Sequence, residues 1–497
     1  MKTFREGFVP LAFGIRLFSL LSACLGATTI GYGAHSAVLS GLIRHPQERV
    51  VTISWKPDPL TTAPQTKTAT VNTAGYFRLT LPMANGLSVE VILGHGDNET
   101  RLFLRPGDDL VLNADASDFD ATLRYSGTGS SANTCLAQLG RRFPSSPGDL
   151  SEDEMQSLTT RRFRQLAEDH RRRKLQYWAT YAKAHPNLTA DFRAYVHRTI
   201  AFEWAAALLS YAVPPAGPPR RFGPVSQTTA DTTFRFLNQL VLPAPDAALQ
   251  ETAYLGFLAS YAVARLRPLD DTARWVRPFT GEQVQNLYQR ARQAFGQSRS
   301  RDVVVGLALY RQLLSIDVGS FAPQWAVFQQ ENRDSLVARS LGQAYRQRLP
   351  LAAGQQAPMF ALRDSTGQLM RLSDWQGKVV YLEFWASWCA PCVAEIPALA
   401  PLKQRFAGQE VVFVYVSIDE NPQAWRAALR RYPALGGATS VHVRDAGFNA
   451  PTVQAYQLAG VPAYWVIGRD GRILQGNAPR PSTGQATIDL LSRALRK

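Results

Sequence analysis

Cysteine is scarce. Cys24, Cys135, Cys389 and Cys392 are the four that a chain of 497 residues carries. That count excludes a disulfide framework, which needs a larger set of closely spaced pairs. Histidine is scarce too, with seven scattered copies. His170, His185 and His197 form the nearest group, and none is paired with carboxylates at metal-ligand spacing, so no metal centre is expected. No stretch recurs at a fixed period, which excludes a repeat array. Acidic residues are the minority charge: 39 Asp and Glu against 54 Lys and Arg leave a net charge of +15. Such an excess suits nucleic acid or an anionic membrane surface. No nucleic-acid motif accompanies it. The arginines lie along amphipathic stretches (Arg161, Arg162, Arg164, Arg171, Arg172, Arg173, with Lys174), the pattern of a solvated helix face. Nucleic acid is therefore not expected as a partner.

What the chain does have is material for cores. Its composition, 45% apolar and 19% charged, is globular. Its length suggests about three domains. Lys2, Arg5 and Arg16 precede an apolar run from Leu17 to about Ala27, so residues 1–34 read as an export signal. Leu21-Ser22-Ala23-Cys24 resembles a lipobox, which implies lipidation of Cys24 and membrane anchoring. Cleavage near Ala27 or Ala34, or an uncleaved anchor with a short span, are the alternatives. Every one of these readings places the body outside the cytoplasm, in the periplasm or cell envelope. Cys135 reads as a small buried hydrophobe.

Residues 36–128 read as all-β, a small sandwich or barrel. Val50–Trp55, Lys67–Val71, Tyr76–Leu81 and Ser88–Leu93 are short, alternating or β-branched, and separated by turn chemistry such as Asn72-Thr73-Ala74-Gly75. From 131 to 348 the period turns helical. Ser151-Glu152-Asp153-Glu154 reads as a capping box ahead of a helix that His185-Pro186 stops. A second helix is expected to carry Phe192, Val196, Ile200, Trp204 and Leu208, and further helices are expected near 229–241, 247–266, 281–296, 301–315 and 323–346. Residues 352–497 alternate strand and helix: a hairpin around Asp364–Gly367, an apolar strand Val379–Leu382, and Val411–Ile418, continuous enough to be buried on both faces. A second hairpin is expected around Arg469–Arg472.

The chemistry concentrates at Glu383-Phe384-Trp385-Ala386-Ser387-Trp388-Cys389-Ala390-Pro391-Cys392. A strand leads into Cys-x-x-Cys at what reads as a helix start. That is a redox arrangement, because free N–H groups and partial positive charge there stabilise a thiolate. Cys389 is expected to be the exposed nucleophile, and Cys392, about one turn inward, the resolving thiol. Zinc would need two more ligands, and a bridge closing so short a loop would stabilise little.

Phe384 through Cys392, with Glu395-Ile396-Pro397 after them, resemble the active-site segment of exported TlpA/ResA-like thiol-disulfide oxidoreductases, and the resemblance covers about 352–497. The β-rich 36–128 resembles the N-terminal domain that precedes such domains in Bacteroidetes-type proteins. The resemblance implies a thioredoxin fold, a Cys389/Cys392 dithiol and disulfide-containing client proteins. It implies electrons from a membrane thiol reductant, with no flavin, nicotinamide or metal in this chain. It places Glu383 behind Cys392 as an aid to proton transfer; an edge-strand glutamate facing water is the alternative. It makes Pro462 the cis-proline facing the cysteines, with Val461 offering its backbone to substrate. Trp388 and Pro391 border the groove, and Pro397 kinks the helix. Pro391 removes one N–H from the thiolate's surroundings, so a thioredoxin-like Cys389 pKa of about 7 and a reducing role are expected. Two other readings stay open: a disulfide oxidase or isomerase, and a binding protein whose redox domain is ancillary.

Overall fold

The computed structural model describes residues 36–56, 58–60, 64–83, 88–143, 154, 157–212, 234–266 and 278–496. The export segment with Cys24 lies outside them, as do Ser151, Glu152 and Asp153 of the expected capping box. The described residues form two compact units. One lies within 1–269, 287–308 and 333–340, the other within 270–286, 309–332 and 341–497.

The first unit begins with eight strands: β1 (Ser36–Arg44), β2 (Val50–Trp55), β3 (Gln65–Thr70), β4 (Tyr76–Pro82), β5 (Val89–His95), β6 (Asn98–Leu104), β7 (Asp109–Asp115) and β8 (Arg124–Gly127). They make two four-stranded sheets, ordered β4-β1-β7-β8 and β3-β2-β5-β6. Alternation decides their faces: Phe77, Leu79 and Leu81 of β4 are buried and their neighbours exposed. The inner faces of both sheets share one core, with Leu39, Ile53, Leu79, Leu93, Leu104 and Leu112 in it. This is the expected sandwich. β1 pairs parallel with β7, which local hairpin signals do not reveal. At the β3–β4 turn the Asn72 side chain accepts from the N–H groups of Ala74 and Tyr76. Gly75 there takes φ +86°, and a Cβ on it would meet Ile43 O at 2.3 Å.

The helices Ser130–Arg142, Thr160–Ala184, Ala190–Ala212 and Thr252–Tyr261 follow. Asn133 ties the first to β6, donating to Phe103 O at 3.1 Å and accepting from Phe103 N–H at 2.9 Å. The second starts at Thr159, whose hydroxyl oxygen accepts from Arg162 N–H, and stops at His185. The expected helix over 323–346 is two helices, Ala322–Glu331 and Ser335–Arg348. Asp334 makes the break, because its carboxylate accepts from Leu336 and Val337 N–H and so caps a new start.

The second unit contains a seven-stranded sheet of β9 (Ala361–Asp364), β10 (Leu369–Arg371), β11 (Val379–Trp385), β12 (Val411–Ser417), β13 (Ser440–Arg444), β14 (Ala463–Ile467) and β15 (Ile473–Gly476), ordered β10-β9-β13-β12-β11-β14-β15. β11, β12 and β13 run parallel, and β14 is antiparallel to β11. Ile396–Arg405 and Pro422–Arg431 are the helices of the crossovers. Every residue of β11 and β12 is buried, as in parallel strands covered on both faces. Trp385 and Ser417 stand in register, so the loops after β11 and β12 leave the sheet side by side, where open α/β sheets place their sites. The whole is a multidomain chain: a β sandwich, a helical region and a C-terminal thioredoxin-like α/β domain. No helix among the described residues is long and apolar enough to cross a membrane.

Candidate active site

Cys389 and Cys392 are joined as a disulfide, with an S–S distance of 2.08 Å. Cys389 is the cap of a four-residue helix, Ala390–Val393, and Pro391 lies in its first turn, where a missing N–H costs nothing. The Cys392 N–H points to Cys389 Sγ at 3.2 Å. The longer helix expected after Cys392 starts only at Ile396, with Pro397 in its first turn. Pro397 has no N–H for the carbonyl of Val393 and its ring crowds that carbonyl, so the chain breaks at Ala394–Glu395. A long helix dipole is thus not what faces the sulfur; individual N–H groups are.

The expected exposure of Cys389 needs correction. It keeps 4% of its surface and Cys392 1%. The cover is the Val461–Pro462 loop, whose peptide bond is cis and whose Val461 O sits 3.6 Å from Cys389 Sγ. In the disulfide form that contact carries no proton. Of the two residues Cys389 remains the less buried. Trp388 beside it is 60% exposed, with its ring centroid 6.5 Å from that of Phe448. The geometry therefore gathers Cys389, Cys392, Pro391, Val461, Pro462 and Trp388 at one place.

Glu383 is on a strand flanked by β12 and β14, so the edge-strand alternative is excluded. It is 3% exposed, and its register partners are Tyr415 and Tyr464. Tyr464 donates its hydroxyl to Glu383 Oε1 at 2.9 Å, while Oε2 is buried without a partner. Burial disfavours the carboxylate and pushes its pKa up to about 8. The Tyr464 bond opposes this, nearby Glu395 adds to it, and Arg480 opposes it. Burial also drives the Tyr381, Tyr415 and Tyr464 hydroxyls well above their ordinary range, so they stay protonated donors.

Two groups to which sequence reasoning gave no role complete the surroundings. Glu395, third after Cys392, is buried and accepts from Ser482 N–H and Oγ at 2.9 Å each; Arg480 lies 3.7 Å away. Its signal was a charged residue inside an otherwise apolar Val-Ala-Glu-Ile-Pro stretch. Asp419, at the end of β12, holds Ser387 in the loop before Cys389. No local signal marks that pairing. Among the described residues no cluster of three or more His, Cys, Asp or Glu is arranged to hold a metal ion.

This geometry can be set beside known proteins. Residues 352–489 match the Redoxin family. The thiol-disulfide oxidoreductase ResA of Bacillus subtilis is 31% identical over 125 residues, which is 25% of this chain and 66% of the relative. ResA of Geobacillus kaustophilus is 30% identical over 131 residues, 26% of this chain and 72% of the relative. Among solved structures, the thioredoxin domain of a thiol-disulfide oxidoreductase from Bacteroides vulgatus is 22% identical, covers 29% of this chain and 98% of that one, and has a TM-score of 0.26.

Proposed function

We propose, from the premise that this chain belongs through its C-terminal domain to the ResA-like thiol-disulfide oxidoreductases, that it is an exported reductant of protein disulfides. Thiol-disulfide exchange is the family's chemistry; its direction, location and residue roles in this chain are the proposal. The Cys389 thiolate attacks one sulfur of a client disulfide, and the client's other sulfur leaves as a thiolate. A mixed disulfide joins Cys389 to the client. Cys392 then gives up its proton and attacks Cys389 Sγ, releasing the second client thiolate. The enzyme is left with the Cys389–Cys392 disulfide seen in the structure.

Cys392 is the more buried of the two residues, so its proton needs an internal acceptor. Glu383 suits that task, since a carboxyl with a pKa near 8 gains and loses a proton close to neutrality. Its unpartnered Oε2 is the single observation that carries this assignment. Trp388, Val461 and Pro462 border the client's path. Electrons return from a membrane thiol reductant, and residues 1–34, with Cys24 as lipid acceptor, deliver the protein to the cell envelope.

Pro391 favours reduction over oxidation, because one fewer N–H faces the thiolate and the dithiol is stabilised less. The test is the reduction potential of the Cys389/Cys392 couple. A value nearer that of thioredoxin, about −270 mV, supports the reductase. A value well above about −180 mV would make the protein an oxidase or isomerase instead.

A further inference from the structure

The loop that carries Cys389 is gripped from outside its own strand. Asp419 is 1% exposed, and its carboxylate takes three hydrogen bonds: Ser387 Oγ donates to Oδ1 at 2.6 Å, and Ser387 N–H and Ser417 Oγ donate to Oδ2 at 2.9 and 2.7 Å. A buried carboxylate is tolerated only when such donors replace its water. Both polar hydrogens of Ser387 are thereby committed to one side chain. One step back, Ile418 N–H donates to Trp385 O at 2.8 Å; one step forward, Cys389 N–H donates to Ala386 O at 3.2 Å. Trp385 and Ser387 are thus tied to the residues just past β12, and Cys389 is tied back to Ala386 within the same loop. The helix that follows them is only four residues long and gives little hold of its own.

We propose that Asp419 is a positioning residue for the exchange reaction: through Ser387 it fixes the loop that presents Cys389 to Cys392, and so sets how readily the pair closes. Resting on the thiol-disulfide exchange reading above, this assigns Asp419 and Ser387 to the site although neither touches a sulfur. The dithiol closes by an intramolecular reaction, and its equilibrium depends on the effective concentration of one sulfur at the other. Freeing the loop lets Cys389 wander and lowers that concentration.

The experiment is equilibration of the full chain with reduced and oxidised glutathione, together with thermal unfolding of the disulfide form. Ser387→Ala and Asp419→Asn are each expected to shift the equilibrium constant about tenfold toward the dithiol, equivalent to about 30 mV. Ser387→Thr keeps the hydroxyl and should return it to within about twofold of wild type. The double variant should shift no further than Asp419→Asn alone, since the two act as one unit. A purely structural clamp would lower the unfolding temperature and leave the equilibrium constant unmoved, and that result in folded Ser387→Ala overturns the inference. Should Asp419→Asn not fold, the Ala and Thr variants at 387 decide it. A wild-type protein that does not exchange with glutathione overturns the exchange reading itself; an exchanging wild type with unmoved variants overturns only the clamp.

Discussion

Tyr464 reaches from β14 to Glu383 on β11 and donates its hydroxyl to Oε1 at 2.9 Å. The other carboxyl oxygen is left buried and unpartnered. One oxygen is thus anchored and the other is open to a proton, and on this the role proposed for Glu383 toward Cys392 rests.

Stability should carry the mark of this carboxyl. Its folded pKa is raised to about 8, against about 4.3 for an unfolded glutamate. The folded state therefore holds a proton that the unfolded chain has lost between those values. Stability is greatest below about pH 4.3, falls as pH rises toward 8, and levels beyond. The loss is on the order of 5 kcal/mol at most. Urea unfolding of the disulfide form at pH 5 and pH 8 measures it, and Glu383→Gln should flatten the slope. An unchanged slope in that variant would assign the effect elsewhere.

Tyr464→Phe removes the hydrogen bond that favours the ionised carboxyl. The pH midpoint of the resolving step should move up, by about one unit. Stopped-flow release of a client thiol as a function of pH reads that midpoint. A downward move would mean that the tyrosine had favoured the protonated form.

Glu395→Gln acts in the opposite sense. It takes a like charge away from Glu383, so the same midpoint should fall. The amide oxygen can still accept from Ser482, which keeps the local fold. No movement would show that Glu395 serves only to fasten the loop at Ser482.

Trp388 is mostly exposed beside the nearly covered Cys389, so its role should be in client contact rather than in the core. Trp388→Ala is expected to raise KM for a protein disulfide about tenfold and leave the unfolding temperature almost unchanged. A fall in kcat with KM constant would place the ring in the chemistry instead.

Much of this could be read from the chain. A glutamate in the apolar run Val380–Trp385 had to be either at an edge or buried for a reason, and β11 proves to be central. Alternation in β4 and the continuous apolar run of β12 gave the strand faces directly. What escaped depends on distant partners. Cys389 is covered by Val461, 72 positions away, and Ser387 is held by Asp419, 32 positions away. The parallel β1–β7 pair joins two strands with five others between them in the chain. Periodicity carries faces and turns but not which loop lies over which. The break at Ala394–Glu395 was nearer to hand, because Pro397 disfavours an unbroken helix there.

The most direct measurement is to trap the intermediate. Cys392→Ala should leave Cys389 joined to a disulfide-bearing client, with mass spectrometry of the linked peptides placing the new bond at Cys389. Cys389→Ala should trap nothing. A stable adduct on Cys392 in the Cys389→Ala variant, with none on Cys389 in its counterpart, would contradict the assigned order of attack.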